Sequence, residues 1–295
     1  MLITEVCKYP LVIFYGEKRR FIQCDVFSPV PTQGNGLAVV VDAEGLSDAQ
    51  FQTFAAWTNL AETTFLLPPT DPAADYKLRI FTPSREMLFA GHPTLGSCAA
   101  WLHTGGVPKQ EGLVRQECGI GIVDIDVSDG QYAFVAPPTK IKSLPDSQLL
   151  AITQALEISA ETILYTALLD NGPVWQVLQL ESAEHVLALD SSRVRWPEFK
   201  SIGLIGAHRA GGECDYEVRM LAPSSGMSED PITGSLNAAL AHWLSSEGRL
   251  GQSITIAQGT KINRHGRVSV HAGSTGGKIL IGGDTHVLID GYVTI

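Results

Sequence analysis

The chain carries one pattern twice. Tyr76-Lys-Leu-Arg79-Ile-Phe-Thr-Pro83-Ser84 is followed by Gly91-His92-Pro93-Thr-Leu-Gly96-Ser97. Tyr216-Glu-Val-Arg219-Met-Leu-Ala-Pro223-Ser224 is followed by Glu229-Asp230-Pro231-Ile-Thr-Gly234-Ser235. The offset is 140 residues at the Tyr-x-x-Arg and Pro-Ser anchors and 138 at Pro-x-x-Gly-Ser, and a weaker pair, Asn35-Gly36 against Asn171-Gly172, gives 136. Three anchors in one order at nearly one spacing point to a duplicated unit, and the period is far too long for a solenoid. Two related halves facing each other are expected, residues 1–136 and 137–295, with one cleft between them where a small molecule would bind. The first copy has His92 before its proline where the second has Asp230. Unlike ionisable groups at matching places suit an asymmetric ligand.

Local patterns give each half its parts. Phe21 to Phe27 alternates as a strand, and Leu37 to Val41 reads as a second, buried one. Between them Pro29, Pro31, Gly34, Asn35 and Gly36 make a turn-rich loop. Ser47-x-x-Gln50 is a capping box that opens a helix to about Trp57, ended by Asn59. Glu62-Thr-Thr-Phe65 and Tyr76 to Thr82 read as strands. His92-Pro93 to Trp101 predicts a helix stopped by Gly105-Gly106. Pro231 to Leu244 predicts its counterpart, with Asp230 at the N-cap. Both are apolar almost all round and so are expected to be enclosed.

Later segments, Gly119 to Val127, Arg267 to His271, Lys278 to Ile281 and His286 to Ile289, alternate like strands. Residues 137–160 read as a linker and then a helix from about Ser147 to Leu156, and Gly203 to Gly212 as a turn. The expected class is α+β: mostly antiparallel sheet wrapped around one central hydrophobic helix in each half. A C-terminal strand at about 284–295 is expected to pack back on the first half. The segment before Phe21 lies outside the repeat, as an added edge strand or a leader.

Charge and cysteine usage bound the function. The net charge is -10, and no basic cluster exceeds Lys18-Arg19-Arg20, read as a solvated turn before a strand. Nucleic-acid binding wants a basic face, so it is not expected. Five widely spaced cysteines without Cys-x-x-Cys fit a reducing compartment. The apolar run Leu11 to Tyr15 is too short for a signal peptide, Glu5 precedes it, and no small-residue cleavage site follows. No stretch approaches the ~20 apolar residues of a membrane span. A cytoplasmic location is expected. The eight histidines show no metal-ligand spacing, and no phosphate-binding glycine loop follows a strand. Chemistry without a metal or other cofactor is expected.

Three groups stand out, each with two readings. Glu62 is an exposed charge at a strand end, or a partly desolvated carboxylate able to move protons. His92 is a structural histidine or a site residue, and Asp230 a plain N-cap or a site residue. Matching places in the repeat favour the functional readings of His92 and Asp230. Two helix N-termini facing one cleft would hold a carboxylate, and Gly96-Ser97 and Gly234-Ser235 in the first turns would let a ligand approach closely.

These motifs resemble the PhzF-like family of phenazine-biosynthesis-type isomerases, which shares the diaminopimelate epimerase fold. The matching stretches are Asp25-Val-Phe27, Gly34-Asn35, Asn59-Leu-Ala-Glu62-Thr-Thr-Phe65, Arg79-Ile-Phe-Thr-Pro83, Phe89-Ala-Gly91-His92-Pro93-Thr94, Glu229-Asp230-Pro231-x-Thr233-Gly234-Ser235 and Gln258-Gly259. The resemblance implies two pseudo-symmetric β-barrel-like halves, each around a central helix. It implies Glu62 as the acid/base group, with His92 and Asp230 lining the same cleft and Gly91, Gly234, Ser235 and Asn35 beside them. The expected reaction is a cofactor-independent isomerisation of a small carboxylate-bearing substrate. Alternatives are racemisation or epimerisation of an amino-acid-like substrate, or metabolite binding without catalysis. A homodimer is compatible with each. The chain departs from the family pattern at Ala61, where many relatives have Ser, at Gly36, where Pro is usual, and at Asn263-Arg264-His265-Gly266. Related racemases carry a cysteine pair at the helix starts, where this chain has His92 and Asp230.

Overall fold

The computed structural model describes residues 16–194, 201–221, 228–272 and 278–295. The Pro223-Ser224 anchor and the start of the N-terminal segment lie outside them. The first half runs β1 (Lys18–Val26), β2 (Asn35–Val40), α1 (Asp48–Thr58), β3 (Glu62–Leu67), β4 (Tyr76–Phe81), β5 (Glu86–Met87), α2 (Gly91–His103), β6 (Leu113–Cys118), β7 (Gly121–Asp126) and β8 (Tyr132–Val135). The second runs β9 (Lys140–Lys142), α3 (Asp146–Leu156), β10 (Ile163–Asp170), β11 (Val174–Leu180), α4 (Ala183–Ala188), β12 (Ile202–Ala207), β13 (Tyr216–Leu221), α5 (Gly234–Ser246), β14 (Ser253–Gln258), β15 (Gly266–Ala272) and β16 (Ile279–Gly283). A last strand, β17 (Thr285–Thr294), follows. The class is mixed α and β, with one large hydrogen-bonded strand network and few helices.

The strand pairing repeats as the sequence does. β1 is antiparallel to β2, β2 parallel to β3, β3 antiparallel to β4, β4 parallel to β6, and β6, β7 and β8 follow antiparallel. β10 to β16 repeat that sequence of pairings through β11, β12, β13, β14 and β15. β8 pairs with β16 and joins the two sets. Each opening strand has a further antiparallel partner: β17 lies against β1, and β9 against β10.

α1 has the predicted capping box, with both Ser47 and Gln50 bonds made, and ends at Asn59 in the left-handed region (φ 54°). Its Phe51 and Ala55 pack with Phe65 and Phe81 in a satellite core. α2 is buried from Gly91 to Ala100, and α5 almost throughout. Both sit in one continuous apolar cluster built from Leu95, Cys98, Leu236, Leu240 and Trp243 and the strands around them. The reason is compositional: with no polar stripe, these helices have no face to give to water.

Three local expectations differ from the structure. Lys18 to Arg20 belong to β1, because β17 supplies a partner along that stretch: Lys18 faces Thr294 and Arg20 faces Tyr292. Arg19 is buried and donates to the carbonyls of Asp42 and Glu44. Residues 203–207 of the glycine-rich stretch belong to strand β12, parallel to β11, not to a turn. α5 begins at Gly234 with Thr233 as its N-cap, so Asp230 precedes the helix rather than capping it.

Candidate active site

The site begins with a strand. β3 presents alternate side chains to opposite faces. Thr63 turns to α1, its hydroxyl 2.6 Å from that of Thr58. Thr64 turns to α2, 2.9 Å from the Ser97 hydroxyl. Glu62 shares the face of Thr64 and meets α2 one turn earlier, with Oε2 3.4 Å from His92 Nε2. The two threonines therefore pin the strand to the helices on either side, and the glutamate is aimed by that registration.

His92 sits at the start of α2 and is enclosed. Its Nδ1 lies 3.3 Å from Asn35 Nδ2. The Asn35 amide also donates to the Ile232 carbonyl at 2.9 Å and to Asp230 Oδ1 at 3.3 Å. A carbonyl only accepts, so the atom facing all three is the NH2. His92 Nδ1 is then an acceptor, and the ring proton of the neutral imidazole lies on Nε2, towards Glu62. Asn35 itself is delivered by the loop after β1, where the Gly34 N–H donates to Asp25 Oδ2 at 2.9 Å.

Asp230 enters from the other half. A bridge to Met220 holds its backbone, with the Asp230 N–H donating to the Met220 carbonyl at 2.9 Å. Its neighbour Glu229 forms a two-pronged, fully buried ion pair with Arg219 of β13, at 3.0 and 2.7 Å. Arg79 of β4, the first-half counterpart of Arg219, makes the same two-pronged pair with Glu86, but at the surface. The repeated Tyr-x-x-Arg thus marks a structural ion pair in both halves, and in the second it anchors the segment that carries Asp230.

The two central helices meet end to end. A Cβ added to Gly91 would lie 2.7 Å from the Gly234 Cα, and one added to Gly234 would lie 2.9 Å from the Gly91 Cα. Only glycine permits this approach. α2 and α5 both span 13 residues. Their starts therefore correspond as Gly91 with Gly234 and His92 with Ser235. The pairing of His92 with Asp230 suggested by the Pro-x-x-Gly-Ser anchor does not hold. Nor does that of Asn35 with Asn171. Asn35 lies in β2 and pairs with Val26 of β1, whereas Asn171 lies in the turn between β10 and β11 and donates to the Ser235 carbonyl at 2.8 Å.

Enclosure sets the protonation states. Burial pushes the Glu62 carboxyl up to about 8, and the nearby Asp230 charge adds to the rise. Burial also pushes Asp230 up, to about 6, against the hydrogen bonds of Thr233 and Asn35 that favour its charged form. Burial lowers His92 to about 3. Burial thus favours the neutral forms of Glu62 and His92, while the hydrogen bonds of Thr233 and Asn35 keep Asp230 the more readily ionised of the two carboxyls. Glu62 Oε2 and His92 Nε2 are both buried without a hydrogen-bond partner, although the Glu62 side chain keeps 17% of its accessible surface.

Glu62, His92, Asp230, Asn35, Gly91, Gly234 and Ser235 thus converge at the two helix starts. Two surface hollows lie elsewhere, one near Arg19, Tyr76 and Trp101, the other near Ser182, His208 and Arg209. Neither touches this cluster, which is recognised by its chemistry. Among the described residues no three His, Cys, Asp or Glu side chains are grouped as a metal ion requires, and no helix is long and apolar enough to cross a membrane. Sequence reasoning missed the Arg219–Glu229 anchor and the hydrogen bonds of Gln258 to the Thr233 N–H and hydroxyl beside Asp230. Their signal was present in the repeated Arg and in the Gln258-Gly259 motif.

Comparison with known proteins identifies the family to which the chain belongs. The family model of phenazine biosynthesis-like proteins (PhzC-PhzF) matches residues 24–291. Antisense-enhancing sequence 1 of Schizosaccharomyces pombe is 36% identical, covering 92% of this chain and 97% of that protein. Trans-2,3-dihydro-3-hydroxyanthranilate isomerase of Pseudomonas fluorescens is 32% identical, covering 83% of this chain and 87% of that one. The crystal structure of a PhzF-family phenazine biosynthesis protein from Bacillus anthracis superposes with a TM-score of 0.78 at 21% identity, covering 95% of this chain and 100% of that one. The chain belongs to the phenazine biosynthesis-like family of isomerases.

Proposed function

We propose that the chain moves a proton from one atom to another of a small carboxylate-bearing molecule, with Glu62 as the acid/base group and no cofactor. The observation that carries this is the pair of buried, unpartnered atoms Glu62 Oε2 and His92 Nε2, 3.4 Å apart. Leaving such groups unsatisfied costs about 1–3 kcal/mol each, and that cost is recovered when a ligand supplies the partners. A glutamate pushed up to about 8 is close to neutral pH, so the neutral carboxyl can give its proton to one atom of the substrate and the carboxylate left behind can take one from another. Two carboxyls whose environments drive them apart divide into acid and base roles. Asp230 would accept from a hydroxyl or ammonium group of the substrate, and His92 Nε2–H would donate to another polar atom. Neither α2 nor α5 has a side-chain cap at its start, so the backbone N–H groups there are open to a carboxylate.

The architecture proposed for this chemistry is two pseudo-symmetric domains, residues 1–136 and 137–295, each a barrel-like sheet around α2 or α5. The repeated strand pairing and the facing glycines Gly91 and Gly234 support it. A two-cysteine racemase is the weaker reading. The helix starts carry His92 and Ser235, while Cys98 is buried within α2, with its thiol pushed well above its ordinary value.

The test is incubation with trans-2,3-dihydro-3-hydroxyanthranilate in D2O. Isomerised product, or deuterium gained at carbon, is expected with the wild type. Glu62→Gln is expected to bind the compound and lose at least ~10²-fold in turnover, the contribution of one general acid/base group. Full turnover in Glu62→Gln would sink the assignment.

A further inference from the structure

Two backbone groups dictate the direction of the hydrogen bonds around the Asp230 carboxylate. The Thr233 N–H can only donate, and it donates to Gln258 Oε1 at 3.0 Å, which identifies that end of the amide as its oxygen. The Asp230 carbonyl can only accept, and Gln258 Nε2 faces it at 3.3 Å. The same Nε2 lies 3.0 Å from Thr233 Oγ1. An amide NH2 has no lone pair to offer, so it must donate to that hydroxyl oxygen. The Thr233 hydroxyl then sends its own proton to its other neighbour, Asp230 Oδ2. Gln258 is held in this orientation by Asn237, whose Nδ2 donates to Gln258 Oε1 at 2.8 Å and to the Thr233 carbonyl at 3.0 Å. All four side chains are buried, so bulk water does not redistribute these bonds.

We propose that Thr233 and Gln258 are positioning residues: Gln258 turns the Thr233 hydroxyl so that it can only donate to Asp230, and this keeps Asp230 the ionised, accepting member of the carboxyl pair. The inference rests on the isomerase reading of the site and adds to it which carboxyl carries the charge when substrate arrives. The ionisable groups around Asp230 are Glu62 on β3, the adjacent Glu229, which is paired with Arg219 on β13, and, across the shared Asn35 amide, His92 on α2. Glu62 and Glu229 oppose a negative Asp230, and neutral His92 adds no charge. Asn35 on β2 and Thr233 are the donors that offset this; the Ile232 carbonyl sets the direction of the first and Gln258 that of the second. A proton placed on Asp230 Oδ2 would meet the incoming Thr233 proton, and one placed on Oδ1 would compete with the Asn35 N–H, so the site's proton resides on Glu62 instead. The Asp230 side of the pocket accordingly suits a hydroxyl or ammonium group.

The proposal is tested in ligand-free protein by 13C NMR titration of carboxyl-labelled aspartate, with the Asp230 signal identified by its loss in Asp230→Asn. Thr233→Val is expected to raise the Asp230 midpoint by at least about one pH unit, a tenfold change in proton affinity. Thr233→Ser, which keeps the hydroxyl, is expected to restore it. Gln258→Leu is expected to raise the midpoint in the wild-type background and to add nothing in Thr233→Val, because it acts through the hydroxyl. An unchanged midpoint in folded Thr233→Val overturns the proposal, as does an equal Gln258→Leu shift in both backgrounds. If Thr233→Val does not fold, Thr233→Ala removes the hydroxyl without adding volume and takes its place. No turnover enters this measurement, so its failure is separable from failure of the Glu62 assignment.

Discussion

Glu62 Oε2 and His92 Nε2 lie 3.4 Å apart, and neither makes a hydrogen bond. Their separation is set by elements that bind neither atom: the Thr63–Thr58 and Thr64–Ser97 contacts fix β3, and the Gly91–Gly234 contact fixes the start of α2. Asn35 claims the far side of the imidazole and leaves Nε2–H pointing at the glutamate. Two buried polar groups thus face each other without a hydrogen-bond partner, at the place where substrate is proposed to bind.

The His92 ring is assigned to donate to substrate, not to exchange its proton. His92→Asn should therefore weaken binding as well as turnover, whereas Glu62→Gln should spare binding. Isothermal titration of both variants with the same carboxylate ligand checks this; equal losses of affinity would contradict the division of roles.

Stability should depend on pH through the same groups. The folded-state pKa of Glu62 is raised, to about 8, so the stability it contributes is complete below the ordinary glutamate value of 4.5 and is lost as pH rises through 8. His92 is depressed, to about 3, so its contribution is complete above 6.5 and is lost as pH falls towards 3. Glu62→Gln should overtake the wild type above neutrality, by on the order of a few kcal/mol at pH 9. Urea unfolding at pH 5, 7 and 9 measures it, and a pH-independent difference would contradict the burial of Glu62.

The two related arginines should differ sharply in importance. Arg219→Ala strands the buried Glu229 and should cost about 3–5 kcal/mol, much of it regained in Arg219→Met combined with Glu229→Met. Arg79→Ala at the surface should cost about 1 kcal/mol or less. Chemical denaturation of the three variants decides, and comparable losses at the two arginines would be the adverse result.

Gly234→Ala should damage the site more than a single methyl group suggests. Its Cβ would lie 2.9 Å from the Gly91 Cα, so backbone must move, at about 1–3 kcal/mol. The displaced helix start should also weaken carboxylate binding. Thermal melting and ligand titration of Gly234→Ala and Gly91→Ala read both effects, and wild-type values for either variant would show that the two helix starts need not touch.

Much of this protein is local chemistry and was legible in the chain. The Ser47–Gln50 capping box opens α1 as written, because a cap is a matter of neighbouring residues. The apolar composition of residues 93–101 and 231–244 foretold two enclosed helices, because such helices have no wet face. His92 and Asp230 could be nominated together because both precede a proline at the start of an apolar segment in the repeat, and Glu62 because it is a carboxylate opening an otherwise apolar strand. Register between segments was another matter. Aligning Pro93 with Pro231 matched His92 to Asp230, but tertiary structure starts α5 at Gly234, where its backbone can touch Gly91. Residues 230–233 are held short of the helix by Gln258, which takes the Thr233 N–H. Lys18 to Arg20 became strand only because β17, at the far end of the chain, lies beside them. In each case the deciding partner is remote in sequence, and hydrogen bonds and close packing act on distance in space, which the linear pattern does not encode.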